Sequence, residues 1–430
     1  MAISKKQLSI IISLFMVFML SACSGGTSST TESSSSSGPD TNSNEGSSEL
    51  AQGVTDDEIL IGFLGPQTGP IAIYDLVRKG IDSYFKYVNE NGGVNGRQLK
   101  LIAYDDQYQP AKTVQLAKRL VEDDKVFAMV GNVGTAPNLA VKDYLVEKGF
   151  PMVMTGTGVN ALTNPPLPNY MGSNIINYSI EGQILLHYAI EELGAKKIAI
   201  SYQNDDYGKE NLATIKEALE KYPGVEIVEE VSFIATDTEF SSQAQKLEKA
   251  NPDTIMHFST PGPAANLKKA LYRIGFNDAN FVVASVAGGD SNIFELAGKE
   301  VWEGSYTGMT IPLPDYAKDD PQMQVFVERF SQDYPNDPLV GSPMTGWGAA
   351  EVLVEAIKRT GDDLTWDNFL KSFYTFDNWQ DSIHSSVTFG EGNHYGLTSM
   401  TVTQAKDGEI LPISDPITFD PATREIKFQE

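Results

Sequence analysis

The chain has 430 residues, with 57 acidic against 32 basic side chains and a formal charge of −25 at pH 7. Such a surface, with no Lys/Arg-rich run to offset it, repels nucleic acid and anionic lipid headgroups and excludes both as partners of the folded body. One cysteine in the whole chain excludes internal disulfides and any cysteine-based zinc cluster.

Lys5 and Lys6 precede an apolar run over 8–20. That run has the length of a signal-peptide core and falls short of the roughly 20 apolar residues of a membrane-spanning helix. Residues 1–22 are therefore expected to be a signal peptide. The segment Leu20-Ser21-Ala22-Cys23 resembles the bacterial lipobox. This resemblance implies a diacylated Cys23 that anchors the secreted chain to the outer face of the cell membrane. The plainer alternative is an ordinary signal peptide with an incidental cysteine. Residues 24–48 are rich in Ser, Thr, Gly and Asn. They carry too little apolar surface to offset the entropy of ordering them, so 23–53 read as a disordered tether.

From Val54 onward the chain is too long for one hydrophobic core, which predicts two lobes. Ile59-Leu60-Ile61-Gly62-Phe63-Leu64, closed by Gly65-Pro66, reads as a strand buried on both faces of a parallel sheet. A helix over 71–91 follows, then a turn at Asn95-Gly96 and a strand over 98–104. Helix 110–123, strand 126–130, helix 136–148 and strand 151–154 continue the alternation. After Pro165, Pro166 and Pro168 it restarts with helix 181–193 and strand 197–202. Helix 209–222, strand 226–231, helix 240–250, strand 254–258, helix 263–274 and strand 281–284 complete the second series. This order predicts an α/β fold of two Rossmann-like lobes, each a parallel sheet flanked by helices. Beyond Pro312 and Pro314, helices 323–334 and 345–359 precede strands at 386–389 and 397–404 and a hairpin at Asp407-Gly408. This tail is expected to cross back to the first lobe and return, making a multi-strand hinge. The first lobe would comprise 54–175 plus about 310–392, and the second 176–309 plus about 393–430.

Few motifs propose chemistry. Gly156-Thr157-Gly158-Val159-Asn160-Ala161 fits the dinucleotide fingerprint G-x-G-x-x-A but runs into prolines instead of opening a helix, so no cofactor is expected. A small-residue loop at a strand's C-terminal end is still where open α/β sheets bind ligands. The loop Gly131-Asn132-Val133-Gly134-Thr135-Ala136-Pro137 sits at another such end, before a helix. Backbone N–H groups, the helix dipole and the Thr135 hydroxyl could receive a carboxylate there, or Thr135 could simply cap its own helix. The pairs Asp105-Asp106 and Asp205-Asp206 could serve acid–base or metal chemistry, but helix capping is the favoured reading. Tyr207 is a candidate ligand-facing ring. His187, His257, His384 and His394 show no metal spacing, and His257, ending a strand, is a pocket candidate. No nucleophile elbow, Walker loop or catalytic cysteine is present in the sequence, so neither an enzyme nor a metal site is expected.

The run Ile61-Gly62-Phe63-Leu64-Gly65-Pro66-Gln67-Thr68-Gly69-Pro70-Ile71-Ala72 is followed by Gly92-Gly93-Val94-Asn95-Gly96-Arg97 and Tyr104-Asp105-Asp106. With Asn204-Asp205-Asp206-Tyr207-Gly208, these segments resemble the branched-chain amino-acid-binding family, type I periplasmic binding proteins that serve ABC transporters. The resemblance covers Glu58 to about Phe419. It implies a ligand held between the lobes, its carboxylate met by Gly134-Thr135-Ala136 and Thr155-Gly156-Thr157. It also implies a second-lobe tyrosine at Tyr207 and an aromatic cover at Tyr74. The Phe258-Ser259-Thr260 turn and Val286 complete the expected wall. One departure matters: where the family usually has an acidic partner for a ligand ammonium, the matching stretch is Ser285-Val286-Ala287-Gly288-Gly289, and Asp290 comes only after it. If Asp290 reaches the ligand, a branched-chain or related amino acid fits; otherwise the ligand is an amine-free or aromatic acid, or an amide. The expected function is capture by a lipid-anchored monomer that closes on its small-molecule ligand and docks on an ABC permease. A sensory receptor domain is the alternative from another class, and a hydrolase or dehydrogenase on Rossmann-like lobes a third.

Overall fold

Continuous apolar runs between turn signals become the parallel strands of a first sheet. The computed structural model describes residues 50–384 and 386–427; the expected signal peptide, Cys23 and most of the expected tether lie outside the described residues. Strands β1 (Glu58–Gly65), β2 (Gln98–Asp105), β3 (Ala128–Val130), β4 (Met152–Thr155) and β5 (Tyr170–Ser173) lie in the order β2-β1-β3-β4-β5, all parallel. Ile59, Ile61, Phe63 and Leu64 of β1 are fully buried, as a strand covered on both faces requires. Helices α1 (Asp75–Glu90), α2 (Pro110–Lys118), α3 (Thr135–Lys148) and the single turn α4 (Asn160–Thr163) connect these strands. The expected start of α1 at 71 is displaced because residues 72–74 form a separate 3-10 turn. The expected helix over 110–123 changes at Arg119 into one wide π turn.

Residues 50–53, assigned above to the tether, are tied into this lobe. Ala51 N–H donates to Leu364 O, and the Gln52 amide donates to the carbonyls of Val121 and Val126.

The second sheet begins with helix α5 (Tyr178–Glu191) leading into β6 (Lys197–Gln203). Helix α6 (Asp206–Leu219), β7 (Glu226–Phe233), α7 (Ser241–Ala250), β8 (Thr254–Phe258), α8 (Pro261–Arg273) and β9 (Asn280–Val283) follow. Short helices α9 (Ser285–Gly288), α10 (Ile293–Ala297) and α11 (Lys299–Trp302) precede β10 (Tyr306–Met309), which pairs parallel to β9. The chain then returns to the first lobe with α12 (Pro321–Asp333), α13 (Gly341–Thr360) and α14 (Trp366–Ser372). Helix α13 lies against α1 at very short range. An added Cβ at Gly80 would sit 2.0 Å from Pro343 O, and one at Gly346 would sit 2.0 Å from Val77 O.

The small hairpin β11 (Thr388–Gly390) and β12 (Asn393–Gly396) lies beside β5. The last crossing delivers β13 (Ser399–Lys406), β14 (Glu409–Pro412), β15 (Ile417–Asp420) and β16 (Glu425–Lys427) to the second sheet, whose order is β16-β15-β13-β10-β9-β8-β6-β7 with β14 on β13. The predicted hairpin at Asp407-Gly408 joins β13 to β14, both residues at positive φ as a tight two-residue turn demands. The second sheet is therefore mixed and not purely parallel, because β13 enters antiparallel to β10. Among the described residues no helix is long and apolar enough to cross a membrane.

Candidate ligand-binding cleft

The C-terminal ends of β3, β4, β6, β8 and β9 open onto one cavity of about 130 Å³ between the two sheets. This is the position at which open α/β sheets bind ligands. Of the residues expected there, Tyr74, Gly134, Thr135, Gly156, Tyr207, Thr260 and Val286 line it.

The first-lobe wall is built on the start of α3. Gly134 is its N-cap at φ +107, and a Cβ there would meet the Tyr108 ring at 2.4 Å. Glycine thus serves both the backbone angle and the close approach. The Thr135 hydroxyl does not cap the helix. It lies 2.8 Å from the Thr157 hydroxyl and 3.4 Å from that of Tyr178, and Thr157 lies 3.3 Å from Tyr178. These three side chains are buried together at the positive end of a helix dipole. Gly134 N–H donates to Gly156 O, and Gly156 N–H donates to Asn132 O. Those two amides, expected to meet a carboxylate, are thus spent on joining the loops. Thr157 itself supports Thr135 from outside the cavity lining.

The second-lobe wall starts at α6. Asp205 caps that helix, accepting from Gly208 N–H at 3.1 Å, and so fixes Tyr207 in its first turn. Asp106 plays the corresponding part in the first lobe, accepting from Tyr108 N–H and the Thr113 hydroxyl. Asp205 thus caps its helix as the capping reading expects, whereas Asp106 holds the loop before α2, whose N-cap Gln109 makes no side-chain cap bond. Tyr207 packs on Tyr178 with ring centroids 4.9 Å apart, and its buried hydroxyl has no hydrogen-bond partner among the described residues. Thr260 is held by Gln203, whose side-chain oxygen accepts from its N–H and its hydroxyl. Across the cleft the Tyr74 hydroxyl donates to Val286 O at 3.3 Å.

Besides Thr157, four expected residues do not line the cavity. Phe258 lies fully inside the core of the second sheet. Ser259 turns inward, its hydroxyl 2.7 Å from His257 Nε2 and donating to Thr260 O. Thr155 is buried with its hydroxyl toward Gly172 O, and Ala136 stands one step along α3, clear of the lining. The pocket candidate His257 is sealed between Phe233 and Phe281, at 5.5 and 5.4 Å. Burial pushes its pKa down to about 3. A strand's last residue alternates with its neighbours between the two faces, and in β8 both faces are covered by helices.

Tyr108, Asn174 and Tyr178 line the cavity without having been singled out from the sequence. Tyr178 is in the first turn of α5, which is capped by Asn177 and starts three residues ahead of the expected position. An Asn directly before an apolar helical run is the cap signal that would have placed it. The stretches around Met309, at the end of β10 in the second sheet, and around Ser342, brought there by the chain's return to the first lobe, also reach the cavity.

Asp290 does line the cavity. Its carboxylate accepts backbone N–H groups from Asn292, Gly341 and Ser342, and burial raises its pKa to about 6. Ser285, which opens the stretch matched to the family's acid-bearing one, donates its N–H to Glu181 Oε1 at 2.7 Å. Glu181 is fully buried, and burial raises its pKa. No group of three or more His, Cys, Asp or Glu suited to a metal ion occurs among the described residues.

Two α/β lobes facing each other over a cavity at their strand ends define a two-lobed binding protein of the type I periplasmic fold. The chain belongs to the periplasmic binding protein family, whose profile it matches over residues 58–409. It is a binding protein and not an enzyme. A relative described as Leu/Ile/Val-binding protein homolog 3, from Brucella melitensis, is 26% identical over 359 residues, 82% of this chain and 93% of the relative. Two solved structures share the fold at 21% identity, each with a TM-score of 0.76. One, described as a branched chain amino acid ABC transporter from Thermus thermophilus with bound valine, covers 86% of this chain and 98% of its own. The other, a fatty acid ABC transporter substrate-binding protein from Thermomonospora curvata, covers 88% and 96%.

Proposed function

We propose that the chain is the solute-binding component of an ABC transporter and captures a small carboxylate-bearing ligand between its lobes. The observation that carries this reading is the Thr135 hydroxyl at the start of α3, which lines the cavity beside the Tyr178 hydroxyl and is backed by that of Thr157. Hydroxyls that bond to one another can turn to a carboxylate, and the helix dipole favours the negative charge. Tyr207, Thr260 and Val286 of the opposite wall, with Tyr74 as cover, complete the contacts of the closed state. Only contacts that the open state lacks shift the hinge equilibrium toward closure. The lobes divide at 54–175 plus about 310–392 and 176–309 plus about 393–430.

A branched-chain or related amino acid is the first choice of cargo. The relative's name supports it, and so does an acid at the cavity wall, Asp290. An amine-free acid is the second choice, favoured by the acid-free stretch that opens at Ser285 and by the three N–H groups already on Asp290. A lipid on Cys23 would hold the monomeric receptor at the outer membrane face beside its permease.

Thermal unfolding of the full chain against leucine, isoleucine, valine, aromatic carboxylates and small amides tests the reading. A ligand at 100 times its dissociation constant adds about 2.7 kcal/mol of stability. Stabilisation by leucine, isoleucine or valine supports the first choice, and stabilisation by amine-free acids alone reassigns the cargo. A chain that no carboxylate stabilises does not have the proposed function.

A further inference from the structure

Beyond the cavity lining, the two lobes are joined by carboxylates of one seated on backbone N–H groups of the other. Asn160 N–H, between β4 and β5 of the first sheet, donates to Glu210 Oε1 on α6 of the second lobe at 2.6 Å. Gly341 and Ser342, at the start of α13 on the first lobe, present N–H groups to Asp290 of the second. Helices α3 and α6 touch across the same cleft. These contacts belong to the closed arrangement, because parting the lobes beyond hydrogen-bond reach breaks each bond and returns each carboxylate to water.

We propose that closure is proton-linked, with Glu210 acting as a clasp between the lobes that acid conditions strengthen and Asp290 acting in the same sense. The inference rests on the hinge-closure reading above, but not on the identity of the cargo, since Glu210 lies outside the cavity lining.

Both carboxylates are desolvated in the closed form without a cation beside them. Neither has an ion-pair partner among the described residues. The charged group near Glu210 is Asp206 of the same helix, which repels it; Tyr178 of α5 also faces it, and Asn160 N–H is its one donor. Asp290 is faced by Tyr74 of the first lobe and by the N–H groups of Asn292, Gly341 and Ser342. Desolvation outweighs these hydrogen bonds and raises Glu210 to about 7 and Asp290 to about 6. In the open cleft each returns toward the ordinary carboxylate range, roughly 4. The closed form therefore binds more protons than the open form, and its share grows as pH falls through the window between those values. Each carboxylate shifts the closed-to-open ratio by up to about tenfold per pH unit there.

Small-angle X-ray scattering of the full, unliganded chain at pH 8.5, 7.0 and 5.5 tests this without any ligand. The expected result is a radius of gyration that contracts toward pH 5.5. In Glu210→Gln the amide oxygen still accepts from Asn160 N–H but carries no charge. That variant should be more compact than the wild type at pH 8.5 and respond less to pH, keeping only the part due to Asp290. Glu210→Ala, which lacks both the charge and the acceptor, should respond to pH as little as Glu210→Gln and stay more open than that variant at every pH. A wild-type radius independent of pH, or a Glu210→Gln profile that follows the wild type, overturns the proposal. Leucine titration of the same samples is a separate arm. Failure of leucine to bind sinks a leucine cargo and leaves the scattering result standing.

Discussion

Thr135 and Glu351 show what single side chains contribute. The Thr135 hydroxyl is buried and its partners are the hydroxyls of Thr157 and Tyr178, not the backbone of its own helix. Thr135→Ala removes one donor to a bound carboxylate. The expected loss is about 1.5–3 kcal/mol, or about tenfold to a hundredfold in affinity, read by calorimetric titration with a stabilising ligand. Unchanged affinity would remove Thr135 from the site. Glu351, inside the first lobe, accepts from Trp347 Nε1 at 2.8 Å and from Ile383 N–H at 2.9 Å. Burial still raises its pKa from 4.5 to about 7. A carboxyl with a raised folded pKa holds its proton more tightly in the folded state. Its stabilisation is full below about pH 4.5 and is lost as pH rises toward 7. Glu351→Gln mimics the protonated form. Between pH 4.5 and 7.5 the difference in unfolding free energy should therefore move in the variant's favour by on the order of 3 kcal/mol. A difference independent of pH would show that Glu351 does not titrate this way.

The pairing of α1 with α13 shows how two elements distant in the chain are specified. Gly80 and Gly346 face backbone atoms of the opposite helix so closely that a methyl group at either has no room. Gly80→Ala and Gly346→Ala should each destabilise the first lobe by about 1–3 kcal/mol through overpacking. Gly262, in the first turn of α8, has open space around its Cβ position. Gly262→Ala should be neutral or slightly stabilising, about 0.4–1 kcal/mol. Scanning calorimetry of the three variants separates close approach from a general effect of removing glycine. Both helices were expected from their patterns, but nothing in either pattern says that they touch. The short strands were harder. β5 and β10 have four residues each, the latter reading Tyr-Thr-Gly-Met, too brief and too mixed for a periodic signal.

Closure joins these scales. The cavity is completed by residues far apart in the chain, Tyr74 from the first lobe against Val286 from the second, and by the return of the chain around Ser342. A ligand that touches both walls ties two sheets into one unit, so the stabilisation predicted for the panel above should appear as a shift of the whole unfolding transition. The alternation of buried strands and amphipathic helices, the two-lobed α/β fold and the capping of α6 by Asp205 were all readable from sequence. They depend on local periodicity and on hydrogen bonds between near neighbours. The placement of Thr135 and Tyr207 at strand ends followed from the same reading and the resemblance it supported. What only the tertiary structure decided is which way the side chains turn and which distant groups meet. Phe258 and Ser259 face the core while Tyr178 faces the cavity. The second sheet takes antiparallel strands from the chain's end, and Glu210 and Asp290 reach backbone N–H groups of the opposite lobe. Local pattern carries no information about such contacts, because they are set by how two separately folded layers are held against each other.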